Sequence, residues 1–178
     1  MIQNEVLSAI AARRSCRAYK PDLPKPEELQ AVLTAGTWAP TAMNRQSPCI
    51  VAVQDKATRD KLSAINAAIM GVQSDPFYGA PVVLVVLADA SIPTCVEDGS
   101  LVMGNLLLAA SSLGLGSCWI QGRLRQAEDG RSTEAFCKHL LALPEDWALE
   151  AILSLGIPAE TPPPHTLEEA DWGKVTFL

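Results

Sequence analysis

The stretch Pro81-Val-Val-Leu-Val-Val-Leu-Ala88 decides the fold class. Side chains alternate between the two faces of a strand, and here both faces are apolar and rich in valine. Such a strand is expected at the centre of a sheet, covered on both sides. Shorter strand patterns lie at Cys49–Val53, Ser117–Ile120 and Leu149–Leu155. Between them the apolar period is helical. A first helix is predicted from Asn4 to Arg14, capped by Asn4, with Val6, Leu7, Ile10 and Ala11 as its apolar stripe. Pro26, Glu27, Glu28 and Gly36 frame a second, with Leu29, Val32 and Leu33 inward. Asp55 caps a third that runs to Met70, with Leu62, Ile65 and Ile69 inward. Further helices are predicted over Glu97–Leu113 and Ser132–Leu143. Strands and helices interleave, which leaves α/β and α+β open.

The chain has 178 residues, of which 48% are apolar, and reads as one domain over residues 1–178 with enough material for a real core. Lys plus Arg number 14 and Asp plus Glu 20, a net charge of −6, which argues against general nucleic-acid binding. The 5 cysteines form no CxxC pair, so neither a zinc site nor a disulfide framework is signalled, and the 2 histidines exclude a multi-histidine metal centre. No secretory signal is visible, and a reducing cytoplasm is the expected compartment. Gly99 to Gly122 carries no charge and is long enough to span a bilayer. Its glycines, serines and Asn105 instead give a buried helix running into a short strand. Beyond Gly156 the proline-rich tail shows no core pattern until Val175-Thr-Phe-Leu178, so it is expected to fray or to lie on another surface, such as a second subunit.

Three segments carry candidate chemistry. Arg13-Arg14-Ser15-Cys16-Arg17 gathers three guanidiniums and a hydroxyl at a helix end. The guanidinium fork fits phosphate oxygens, although arginine also suits a solvated helix C-terminus. Ala39-Pro40-Thr41-Ala42-Met43-Asn44-Arg45-Gln46 sets two amides in a loop ahead of a strand, where they can read the polar edge of a heterocycle or simply set turns. Gly114-Leu-Gly-Ser-Cys-Trp-Ile-Gln-Gly122 is a glycine-rich strand in which a ligand can approach the backbone. It has neither the dinucleotide fingerprint nor the P-loop spacing.

In this order, and followed by Leu153-Ser-Leu-Gly-Ile-Pro-Ala-Glu160, these motifs resemble the nitroreductase family of FMN-dependent oxidoreductases. The resemblance runs from Val6 to Glu160. It implies an α+β homodimer, a mixed sheet flanked by helices, with two flavins at the interface and a C-terminal extension that wraps the partner subunit. By the same resemblance, Arg13, Arg14, Ser15 and Arg17 bind the FMN phosphate and ribityl chain. Pro40, Thr41, Asn44 and Gln46 reach the flavin from the other subunit. Trp119, Ile120, Gln121 and Gly122 lie along the ring, with the Gln121 N–H nearest N5. NADH or NADPH is the implied electron donor and a nitroaromatic, a quinone or another flat small molecule the implied acceptor, in ping-pong turnover. No metal, nucleic acid or membrane is implied.

Two departures from the family pattern stand out. An aromatic residue is common shortly after the Gln of the loop, and here Ser47-Pro48-Cys49 stands instead. A Lys or Arg in the tail usually completes the phosphate site, and here Pro164-His165 falls at that point, with Lys174 further on. His165 is thus the tail's candidate cofactor ligand. The departures motivate an alternative, a flavin-binding or interaction protein without efficient turnover.

Overall fold

In the computed structural model, which describes residues 2 and 4–178, the valine-rich stretch is strand β2 (Val82–Asp89), and its side chains from Val82 to Ala88 are buried. It pairs antiparallel with β1 (Cys49–Val53) on one side and with β4 (Trp147–Gly156) on the other. Strand β3 (Gly116–Gln121) adds to the far side of β4, giving the order β1-β2-β4-β3. All ladders between these strands are antiparallel. The parallel element is a bridge between Ser15 and Ser117 on the outer edge of β3.

The period-two alternation of β2 divides the core. Val82, Leu84 and Val86 face a cluster with Leu29 and Val32 of α2 (Pro26–Thr37) and Val102, Met103 and Leu106 of α4 (Cys95–Ser112). Val83, Val85 and Leu87 face Leu62 of α3 (Lys56–Met70), Phe77 and Cys137 of α5 (Thr133–Leu141). Strand β4 switches parity partway. Its register against β2 shifts between Val86 and Leu87, so Glu150 is an extra residue. Leu149 therefore joins the second cluster although Ala151 belongs to the first.

The predicted caps Asn4 and Asp55 act as such, and Ser132, predicted as the first residue of its helix, is a third. Asn4 accepts from Leu7 N–H at 2.8 Å, Asp55 from Thr58 N–H at 2.8 Å and Ser132 from Ala135 N–H at 3.1 Å. Helix α1 (Glu5–Ala12) is shorter than predicted, because Arg13 already has extended backbone. Its predicted apolar stripe is not buried within the chain: Val6, Leu7 and Ile10 are 61%, 44% and 52% exposed. Ile65 is half-buried rather than fully inward.

The tail is anchored further than its composition indicated. It runs beside the segment that follows α1: Lys20 N–H donates to the Ile157 carbonyl, Ala159 N–H to Ala18 and His165 N–H to Ala11, each at 2.9 Å. Beyond it come 3₁₀ turns at Leu167–Glu169 and Trp172–Lys174, with Trp172, Val175 and Phe177 exposed. The uncharged stretch is most of α4 together with β3, and no helix among the described residues is long and apolar enough to cross a membrane.

Candidate active site

After α1 the chain runs along the outer edge of β3, where Cys16 N–H donates to the Ser117 carbonyl at 2.9 Å. This contact brings the basic motif to the glycine-rich strand. Arg17, the Ser15 hydroxyl and Arg13 all act on the Cys118 thiol: burial pushes that thiol up, and these three groups pull it the other way. Arg59, Arg123 and Arg131 each pair with a carboxylate. Among the described residues Arg13 and Arg17 have no carboxylate within ion-pair distance. Arg17 instead stands 6.0 Å from the centroid of the Tyr78 ring, a cation–π arrangement. Phe77, next to Tyr78, is buried core. Two unneutralised guanidiniums beside a hydroxyl form a donor set suited to a phosphate.

Two predicted members of this group are engaged elsewhere. The Arg14 guanidinium donates to the Pro163 carbonyl, and the His165 ring pairs with the Glu169 carboxylate, whose pKa this bond lowers. In the single chain both side chains bind the tail.

Strand β3 supplies an open edge. The Ser117 carbonyl points outward to Cys16, so alternation turns the backbone groups of Trp119 and Gln121 outward as well, and those of Cys118 and Ile120 toward β4. The Gln121 N–H is thus free of the sheet. The Gln121 side chain is held in place: Trp119 Nε1–H donates to its Oε1 at 3.1 Å, and its Nε2 donates to the Arg123 carbonyl at 3.0 Å. The Ile120 side chain is core, and its backbone groups face β4. Gly116, the first residue of this strand, and Gly122, just after it, are tightly packed. A Cβ on Gly122 would lie 2.7 Å from Leu149 Cδ2, and one on Gly116 2.6 Å from Cys16 Sγ.

The Asn44/Gln46 loop lies at the other edge of the sheet, just before β1. Pro40 is exposed and Ala42–Asn44 forms a 3₁₀ turn. Gln46 N–H donates to Thr41 Oγ1 at 2.9 Å, and Gln46 Nε2 to Asn44 Oδ1 at 2.9 Å and to Thr41 Oγ1 at 3.3 Å. Met43, Asn44 and Gln46 have φ of 54°, 53° and 51°, left-handed values that cost energy without glycine and need support from their surroundings. Thr41, Gln46, Pro48, Cys49 and Val102 border a pocket of about 390 Å³, so Pro48 stands in its wall.

Sequence reasoning pointed to Phe77 and Tyr78 as neighbours of the site, with Phe77 as core, and missed Asp98. Tyr78 lies on the loop before β2 and meets Arg17 only through the fold. Asp98, in the first turn of α4, is 2% exposed and accepts from Ala42 N–H at 2.9 Å. An acid in a first helical turn is common for its fit to the helix dipole, so nothing in its sequence position marks it.

The two groups therefore sit on opposite edges of one sheet. Spacing of ~4.8 Å between strands puts β1 and β3 roughly 14 Å apart. No hydrogen bond or ion pair among the described residues joins the loop to Arg13, Ser15 or Arg17.

The model of the Nitroreductase family matches residues 10–72 and 66–157, and the chain belongs to that family. A protein of Methanothermobacter thermautotrophicus, provisionally named an NADH dehydrogenase/NAD(P)H nitroreductase, is 32% identical over 172 residues, covering 94% of this chain and 84% of its own. An FMN-dependent nitroreductase of Clostridium difficile R20291 superposes with a TM-score of 0.88 at 29% identity, over 96% of this chain and 98% of its own. A nitroreductase with bound FMN from Desulfitobacterium hafniense DCB-2 gives 0.81 at 28% identity, over 99% of this chain and 100% of its own.

Proposed function

We propose that this chain is an FMN-dependent NAD(P)H oxidoreductase that works as a homodimer and passes electrons to a flat acceptor such as a nitroaromatic or a quinone. The observation that carries the reading is the pair of unneutralised guanidiniums, Arg13 and Arg17, beside Ser15 at the open edge of β3. Family membership and the FMN bound in the Desulfitobacterium relative support it.

When bound, FMN supplies the hydride chemistry, so the protein needs only to bind, orient and polarise. Arg13, Ser15 and Arg17 hold the phosphate with charge-assisted bonds. The outward Gln121 N–H donates to the ring edge, and the Trp119–Gln121–Arg123 chain of hydrogen bonds keeps that strand end rigid. Asn44 and Gln46 lie too far across the sheet to serve the same site. They serve the site of the partner subunit, which the dimer brings within reach.

The test is direct. Protein purified and saturated with FMN turns yellow and bleaches on addition of NADH or NADPH. Initial rates with a quinone, taken at several fixed donor concentrations, give parallel double-reciprocal lines, because donor and acceptor occupy one place in turn. Intersecting lines would establish a separate acceptor site. A yellow protein that neither nucleotide bleaches would be a flavin carrier without turnover.

A further inference from the structure

Asp98 is the one distant side chain bonded to the Asn44/Gln46 loop among the described residues. Its carboxylate is buried, 56 residues from Ala42 in sequence, and accepts the Ala42 N–H at 2.9 Å and the Thr94 hydroxyl at 3.1 Å. That N–H opens the 3₁₀ turn from which Thr41, Asn44 and Gln46 are hydrogen-bonded to one another. Three loop residues hold left-handed backbone, which local bonds alone do not stabilise. The support beneath the carboxylate is rigid. A Cβ on Gly99 would lie 3.0 Å from Glu150 Cβ, so α4 sits tightly on the β4 bulge, and the Ser100 hydroxyl donates to Glu150 Oε1 at 2.7 Å. The helix N-terminus also favours a carboxylate at this place.

We propose that Asp98 is a positioning residue for catalysis: through the Ala42 N–H it fixes the Thr41–Gln46 loop in the one shape that presents Asn44 and Gln46 to the flavin of the partner subunit. This rests on the functional reading above, since it presumes that the loop lines a flavin. Asp98 itself touches neither flavin nor substrate. The inference separates a buried group that shapes the site from the exposed amides that form it.

Three variants test it. Asp98→Ala removes the acceptor. Asp98→Asn keeps an amide oxygen facing the Ala42 N–H. Ala42→Pro removes the donor without touching the core, and the extended backbone of Thr41 suits a residue before proline. In the FMN-free protein, hydrogen exchange of the 41–46 amides should quicken in Asp98→Ala and stay near wild type in Asp98→Asn. FMN titration by fluorescence should show about tenfold weaker binding in Asp98→Ala and Ala42→Pro, the size of one lost charge-assisted bond, with Asp98→Asn close to wild type. Wild-type exchange and FMN affinity in Asp98→Ala, or an Asp98→Asn as defective as Asp98→Ala, would overturn the inference. If Asp98→Ala does not fold, Ala42→Pro decides: wild-type FMN affinity there overturns it. Asn44→Ala is measured alongside. If it leaves FMN binding unchanged, the loop does not line the flavin and the functional reading fails. If it weakens binding while Asp98→Ala does not, only the role of Asp98 fails.

Discussion

Arg17 lies in a chain of net charge −6, yet no carboxylate among the described residues neutralises it, and its neighbour across space is the Tyr78 ring. A guanidinium kept free in this way retains its full field for an anion. Replacing Arg17 by Ala should weaken FMN binding by about tenfold or more, since charge-assisted bonds to phosphate contribute ~1.5–3 kcal/mol each. Fluorescence titration of flavin-free protein measures it, and wild-type affinity would return the motif to an ordinary helix end. Arg14 provides the contrast: it is bonded to the Pro163 carbonyl, so its loss should disturb the tail before the cofactor. The sequence made the motif visible, because three arginines within five residues are conspicuous. It did not distinguish Arg14 from its neighbours. That distinction depends on where residue 163 returns in space, which no local pattern encodes. Asp98 escaped for the same reason.

Helices and strands were legible almost throughout, because burial on one or both faces leaves a period in the sequence. What the period could not show is the Glu150 bulge. A strand read from Leu149 to Leu155 puts Leu149 and Ala151 on one face, and the extra residue parts them. The α1 stripe was legible too, but its burial requires a surface that one chain does not supply. The loop from Gly71 to Gly79 showed only as a gap between elements. In the structure Asp75 organises it, accepting from Ser63 Oγ at 2.6 Å, Phe77 N–H at 2.9 Å and Gly79 N–H at 2.7 Å, and from Arg59. Burial raises its pKa, but these four donors outweigh burial and hold it below the ordinary carboxylate value. A pKa lowered by folding means that the unfolded chain binds the proton more readily in mild acid. This stability is therefore complete above the unfolded value of about 3.9 and is lost as pH falls through the folded one. Asp75→Asn should cost about 1–2 kcal/mol near neutral pH, discounted for partial exposure. Its denaturation midpoint should also fall less than that of wild type on acidification. Equal acid sensitivity in urea titrations of the two proteins would count against the assignment.

Across the whole molecule, the arrangement of strands decides more than any one motif. The proposed phosphate-binding group lies beside β3 and the amide loop ahead of β1, and the sheet order β1-β2-β4-β3 keeps them at opposite edges. The exposed face of α1 and the apolar residues of the tail are the surfaces that the proposed dimer would cover. In the proposed dimer each flavin then draws on both chains, and neither chain owns a complete site. Two impaired proteins can therefore repair each other. Arg17→Ala damages the site beside its own β3, while Asn44→Ala damages the site of its partner. In a hybrid dimer both lesions fall on the same site, and the other is intact. Unfolding the two variants together and refolding them at equal concentration should restore about a quarter of wild-type activity, since random pairing makes half the dimers hybrid and each hybrid holds one sound site of two. With FMN limiting, neither variant refolded alone should recover more than its own small residual activity. Genetically, the two lesions would behave as complementing alleles of a single gene.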